Sequence, residues 1–181
     1  MKLQNTIFLA LCCTLGLFTK KLIGPFSNVI TDALHIPGGI STAFSLMFLV
    51  VAAGITGQKW SATLMGAVQS VLALAFGMVG SMGILAPIGY ILPGVAIDLI
   101  VTLRRGRKGD QTVRLFFANV LASMIAALSA DLLVFHLPGL ALAVYLSVAA
   151  TSGGICGYLA GILYGRLRAA NLFQDNKEME E

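Results

Sequence analysis

Long apolar runs separated by short polar punctuation dominate this chain. A helix that crosses a bilayer needs about 20 mostly apolar residues. Six stretches come close to that length, at 5–23, 38–57, 60–79, 83–103, 113–135 and 140–165. The intervals between them differ in kind. A polar loop fills 24–37, Gly57-Gln58-Lys59 makes a short turn, and GMVGSMG at 77–83 reads as a flexible outer turn. RRGRKGDQ at 104–111 is basic, and HLPG at 136–139 is a tight turn before the last run. The pattern predicts an all-α integral membrane protein: a single bundle of six transmembrane helices over residues 1–168, then a charged cytoplasmic tail at 169–181.

Composition agrees. The 181 residues are 57% hydrophobic and 11% charged, with mean hydropathy +0.89, whereas soluble domains carry about 25% charged residues. One bundle uses up the length and leaves no room for a large soluble domain. Cys12, Cys13 and Cys156 all fall in apolar runs and read as small buried hydrophobes, not as a disulfide framework. The start, MKLQNTIFLALCCTLGLFTKK, resembles a signal peptide, but no A-x-A-like cleavage site follows its apolar core. It is therefore expected to stay as the first membrane helix.

Charge placement orients the bundle. With the N-terminus inside, ten of the twelve lysines and arginines are cytoplasmic, and only Lys20 and Lys21 face out. Lysine and arginine concentrate on the cytoplasmic side of membrane proteins, so both termini are expected inside, in a prokaryotic cytoplasmic membrane. Lys20 and Lys21 are read as snorkelling to the outer headgroups. This topology puts both histidines, in HIPGG at 35–39 and HLPG at 136–139, on the same outer face. Pro37 and Pro138 are ordinary first-turn prolines. Each histidine follows an aspartate, Asp32 before His35 and Asp131 before His136.

An ionisable or strongly polar group within a bilayer normally faces a partner or a cavity. Asn119, Ser123, Ala127 and Asp131 recur every four residues and share one helix face. That face either makes interhelical hydrogen bonds or forms a ligand wall with Asp131 and His136 at its outer end. Asp98 precedes Arg104 and Arg105 by one to two turns and reads first as an ion-pairing or snorkelling acid. Gln69, beside Ser70 in mid-span, is open to helix packing and to ligand contact alike. Glycines 153, 157, 161 and 165 put three overlapping G-x-x-x-G units on the last helix. Packing within the bundle is preferred there over dimerisation. Thr6, Ala10 and Thr14 form a small-residue face on the first helix. Phe26, Phe76, Tyr90, Phe135 and Tyr145 fall in outer halves or outer loops, and about half are expected to meet lipid.

Several chemistries have no sequence basis. No G-x-x-x-x-G-K-S/T is present, so the chain cannot drive transport by its own nucleotide hydrolysis. H-E-x-x-H and G-x-S-x-G are absent too, and neither an enzymatic role nor a cofactor is expected. Two histidines and two acids at one mouth lack a third dedicated metal ligand, so no metal is expected. The RRGRKG loop reads as a topology determinant, with no nucleic-acid partner implied.

Six helices, both ends inside, a long first outer loop and no ATPase together resemble the substrate-binding S components of energy-coupling factor (ECF) transporters. The likeness spans about residues 5–168. It is carried by IPGGISTAFSLMFLVVAAGITGQKWSATLMGAVQS and by GYILPGVAIDLIVTLRRGR, and is nearest the thiamine and hydroxymethylpyrimidine subgroup. The resemblance implies a small vitamin or precursor bound at the outer face under the first loop. It also implies partners, a transmembrane coupling protein and two cytoplasmic ATPases, against which the S component reorients. The family's A-x-x-x-A contact maps onto Ala10-x-x-x-Thr14, with threonine in the second position. Candidate substrate-binding residues are Asp32, His35, Gln69, Tyr90, Asp131, His136 and Tyr145. Acids beside aromatics favour a cationic or nitrogen-rich aromatic vitamin. Two other classes stay open: a self-sufficient proton-coupled carrier using Asp98 and Asp131, and a non-transporting membrane scaffold.

Overall fold

The computed structural model of the chain describes residues 3–33, 40–103 and 111–169. They form α1 (Leu3–Ala33), α2 (Ile40–Thr56), α3 (Ser61–Ala75), α4 (Ala86–Leu103), α5 (Gln111–Ala130) and α6 (Gly139–Ala169), with no strand among the described residues. A 3-10 segment, Gly80–Leu85, leads into α4, and a π turn, Asp131–Phe135, ends α5. Four helical spans are long and apolar enough to cross a membrane: Leu3–Val29, Met82–Leu103, Gln111–Phe135 and Gly139–Ala169. At 17 and 15 residues, α2 and α3 are shorter.

Two stretches differ from the sequence expectation. The first half of the expected loop at 24–37 is helical, because α1 runs on to Ala33 with Pro25 inside it. Asp32 thus belongs to the last turn of a helix, not to a loop. The GMVGSMG stretch is a built stop rather than a flexible turn. Gly77 takes φ 64°, its N–H bonds the Leu74 carbonyl at 3.2 Å, and Met78 N–H bonds the Ala73 carbonyl at 2.7 Å. That pair of bonds around a left-handed glycine is a Schellman termination. Met78, Val79 and Met82 then pack onto Leu17, Ala73, Ala86 and Tyr90. HIPGG with His35, the RRGRKG loop and the tail after Ala169 lie outside the described residues.

The core sits around α2, which packs against every other helix. Its residues Leu49, Val50, Val51 and Ala52 are all but inaccessible, and Ile97 and Leu115 meet them from α4 and α5. A helix apolar on every side is a buried one, and this accounts for the absence of a polar stripe on α2. Gly54, Leu115 and Tyr164 come together at one end of the bundle, where α2 and α6 finish and α5 begins.

Glycine sets the spacing of the helix pairs. A Cβ on Gly157 would lie 2.8 Å from the Phe116 Cα, and one on Gly153 would lie 2.8 Å from the Ser123 Oγ. A Cβ on Gly161 would collide with the Thr112 side chain, while around Gly165 there is open space. Three of the four periodic glycines therefore seat α5, and the fourth does not. Asn119 completes the contact by donating its Nδ2 to the Gly153 carbonyl at 2.8 Å. Gly66 and Gly94 do the same between α3 and α4, against the Tyr90 and Ala62 carbonyls.

Asp98 has a role the sequence did not disclose. Trp60, in the N-cap position of α3, is left-handed (φ 66°) and offers no side-chain cap. The carboxylate of Asp98 reaches across from α4 instead. Its Oδ1 accepts from Ala62 N–H at 3.1 Å, and its Oδ2 accepts from Thr63 N–H and the Thr63 hydroxyl, each at 2.7 Å. A negative charge on unpaired N–H groups at a helix start is favoured by hydrogen bonding and by the helix dipole. Asp98 is thus a cap supplied by a neighbouring helix; Arg104 and Arg105, the partners of the expected ion pair, lie outside the described residues.

These contacts rank a set of substitutions. Gly157→Leu forces α5 and α6 apart and should cost about 2 kcal/mol or more, whereas Gly165→Ala should be neutral or slightly stabilising. Asp98→Ala should cost roughly 2–3 kcal/mol, and Asp98→Asn less because one acceptor remains. Thermal unfolding midpoints in detergent check the order.

Candidate binding cavity

A cavity of about 540 Å³ opens at the end of the bundle opposite the Gly54–Tyr164 contact. Its space comes from small side chains. On α5 the wall is Ser123, Ala126, Ala127 and Ala130, and the mouth of α2 contributes Ser41 and Thr42. On α1 the wall is Leu17, Lys20, Lys21, Gly24, Pro25 and Asn28. Those spacings of three and four follow a single helix face over about 16 Å. The face exists only because α1 continues as a helix beyond residue 23.

Aromatic rings close the cavity. Tyr145, 2% exposed, stands edge-on to Phe135 with centroids 6.5 Å apart. The π turn at Asp131–Phe135 makes this meeting, since one extra residue in the turn rotates the side chains that follow it. Opposite, Tyr90 is buried and accepts a hydrogen bond from Lys20 Nζ at 3.0 Å. The same ammonium lies 4.3 Å from the Tyr90 ring centre. Ser123 is 3% exposed, and its Oγ has no hydrogen-bond partner among the described residues. Ligand sites of about 300–1,000 Å³ that are mostly apolar with a few placed polar groups are typical, and this one fits.

The residues expected to form a site part company here. Tyr90 and Tyr145 line the cavity. Gln69 lies apart from it: its Nε2 donates to the Cys13 carbonyl at 3.0 Å and ties α3 to α1. Asp131 is buried behind the wall, where its Oδ1 accepts from Leu137 N–H at 2.8 Å and its carbonyl accepts from His136 N–H at 2.9 Å. His136 is exposed and left-handed (φ 48°), the residue on which α5 stops. Histidine is among the residues that tolerate that conformation, so HLPG is a turn and not a rim of the cavity. His35 and the Asp32 side chain lie outside the described residues. Of the remaining aromatics, Phe26 and Phe76 point outward at 76% and 67% exposure.

The charged groups among the described lining residues are not the acids that the sequence singled out. Acids beside aromatics favour a cationic or nitrogen-rich aromatic ligand; among the described lining residues there is no carboxylate, and the two charged groups are Lys20 and Lys21. These lysines escaped the sequence reading because the chain around them looked like a helix end at the headgroups. The legible signal was their position three and four residues after Leu17 on one face. Ala10 and Thr14 are exposed on α1, on the same side as Ile7, Leu11 and Phe18. No family model, curated protein or solved structure matches the chain. Among the described residues no group of three or more histidines, cysteines and acids could hold a metal ion.

If Asp131 serves the turn, its acceptor oxygen matters more than its charge. Asp131→Asn keeps an oxygen for Leu137 N–H and should fold nearly normally, while Asp131→Ala strands that N–H at a cost of about 1–3 kcal/mol. Unfolding midpoints of the two variants test this directly.

Proposed function

We propose that this chain is the substrate-capture subunit of an ECF-type importer, a six-span membrane protein with both ends in the cytoplasm. In this reading it takes a small vitamin or vitamin precursor at its outer face and delivers it by reorienting against a coupling protein and two ATPases. The observation that carries the proposal is the cavity of about 540 Å³ at one end of the bundle, walled by small, aromatic and cationic side chains. Charge placement supports the orientation. Lys59, Arg114, Arg166 and Arg168 sit on helix ends away from the cavity, with Trp60 65% exposed beside Lys59 in the manner of an interfacial anchor. The outward apolar face of α1, with Ala10 and Thr14 on it, is available to a coupling protein.

The proton-coupled carrier finds less support. It needs an acid that trades protons along the path, and Asp98 and Asp131 both accept hydrogen bonds from backbone N–H groups. A scaffold would have no use for a walled cavity.

Copurification with a membrane coupling protein and two ATPases is the expected result, together with uptake that depends on ATP. Proton-driven uptake by this protein alone in vesicles would overturn the proposal. Native mass spectrometry of the purified protein should find a retained small molecule. Ala127→Phe, which fills the cavity from α5, should abolish that retention while the protein stays folded.

A further inference from the structure

The ligand's charge can be argued from the cavity, on the reading that the cavity is a ligand site. Lys20 projects from α1 into it one turn above Leu17, on the side where Tyr90 stands. Its only recorded partner among the described residues is the Tyr90 hydroxyl, a neutral group, which holds the ammonium at 3.0 Å and leaves its other N–H donors unused. Lys21 lines the same space, and no carboxylate among the described lining residues offsets either charge.

A part-buried ammonium without a counter-ion is costly, and the cavity's own groups supply none. The Tyr90 hydroxyl adds a second polar group beside the ammonium. A hydroxyl can donate a hydrogen bond to an anion. Tyr90 keeps its own O–H hydrogen while accepting from Lys20, which makes a second donor at the same place.

We infer that the cavity is built for an organic anion, a carboxylate or a phosphate ester on a planar ring, with the anionic group seated on Lys20 as braced by Tyr90 and the ring against Tyr145 and Phe135. Charge-assisted bonds of this sort are about twice as strong as neutral ones, so Lys20 should dominate affinity. A lipid phosphate is the other source of the same chemistry.

The test uses the full-length protein in nanodiscs of zwitterionic lipid and four probes of one shape: benzoate, phenyl phosphate, benzamide and benzamidine. Binding is read by calorimetry and by thermal shift. Benzoate or phenyl phosphate should bind at least tenfold tighter than benzamide, with benzamidine weakest, and whichever anion wins identifies a carboxylate or a phosphate ester. Lys20→Met should erase the preference for anions yet leave benzamide binding intact, which shows that the cavity is still formed. Lys20→Arg should retain most of the preference, and Lys59→Met all of it. Equal binding of benzamidine and benzoate, or a preference that survives Lys20→Met, would overturn the inference. One phosphatidylglycerol retained per protein in native mass spectra, lost in Lys20→Met and displaced by neither anion, would overturn it in favour of a lipid headgroup. Copurification and uptake are separate measurements, so the importer reading and the anion seat can fail independently.

Discussion

Small side chains set the distance between helices here, and the bundle divides according to whether that distance is closed or left open. Towards one end, Gly157 and Gly161 bring α6 onto the backbone of α5, and Gly94 brings α4 onto α3. Further along α5, Ala126, Ala127 and Ala130 line the cavity, where their small side chains leave room. Lipid gives apolar helices little reason to choose each other over acyl chains, so packing at close range carries much of the association. A bundle held this way is tight where glycine meets backbone and hollow where small side chains line an open space.

Polar groups within the bundle follow the same economy. Asp98, Gln69, Asn119 and Asp131 all bond to backbone groups, three of them across to another helix. Each satisfies an atom that hydrocarbon would leave exposed. Among the described residues Lys20, at the cavity, has one neutral partner, and the buried Ser61 Oγ, Asn119 Oδ1 and Ser123 Oγ have none. What each of these groups touches cannot be read from isolated polar letters in an apolar run.

Much of the architecture was legible because it depends on local pattern. The apolar runs, the glycine period on α6 and the Pro-Gly start of α6 are properties of neighbouring residues, and helix geometry converts them directly into faces and ends. The Asn119–Asp131 stripe was legible as a face as well, though not what it would meet. The site was less legible. Tyr90 and Tyr145 line the cavity, as do Lys20, Lys21 and Ser123, which in sequence read as a headgroup anchor or as one option on a stripe. Asp131, Gln69 and His136 attracted attention by their polarity alone, and they turned out to serve the helices themselves.

From its sequence alone this protein is an apolar, helical chain whose charges cluster in the short polar segments. Hydrophobic length and lysine and arginine placement are sums over residues and need no knowledge of contacts. Which polar groups are spent on other helices is a different matter, because a hydrogen bond between Asp98 and the start of α3 joins residues 35 and 36 positions apart. Only the tertiary structure decided that, together with the continuation of α1 past Pro25 that turns Lys20 and Asn28 to one wall. The physical reason is that burial and partnership belong to pairs of elements, and a single chain read in order contains only one member of each pair at a time.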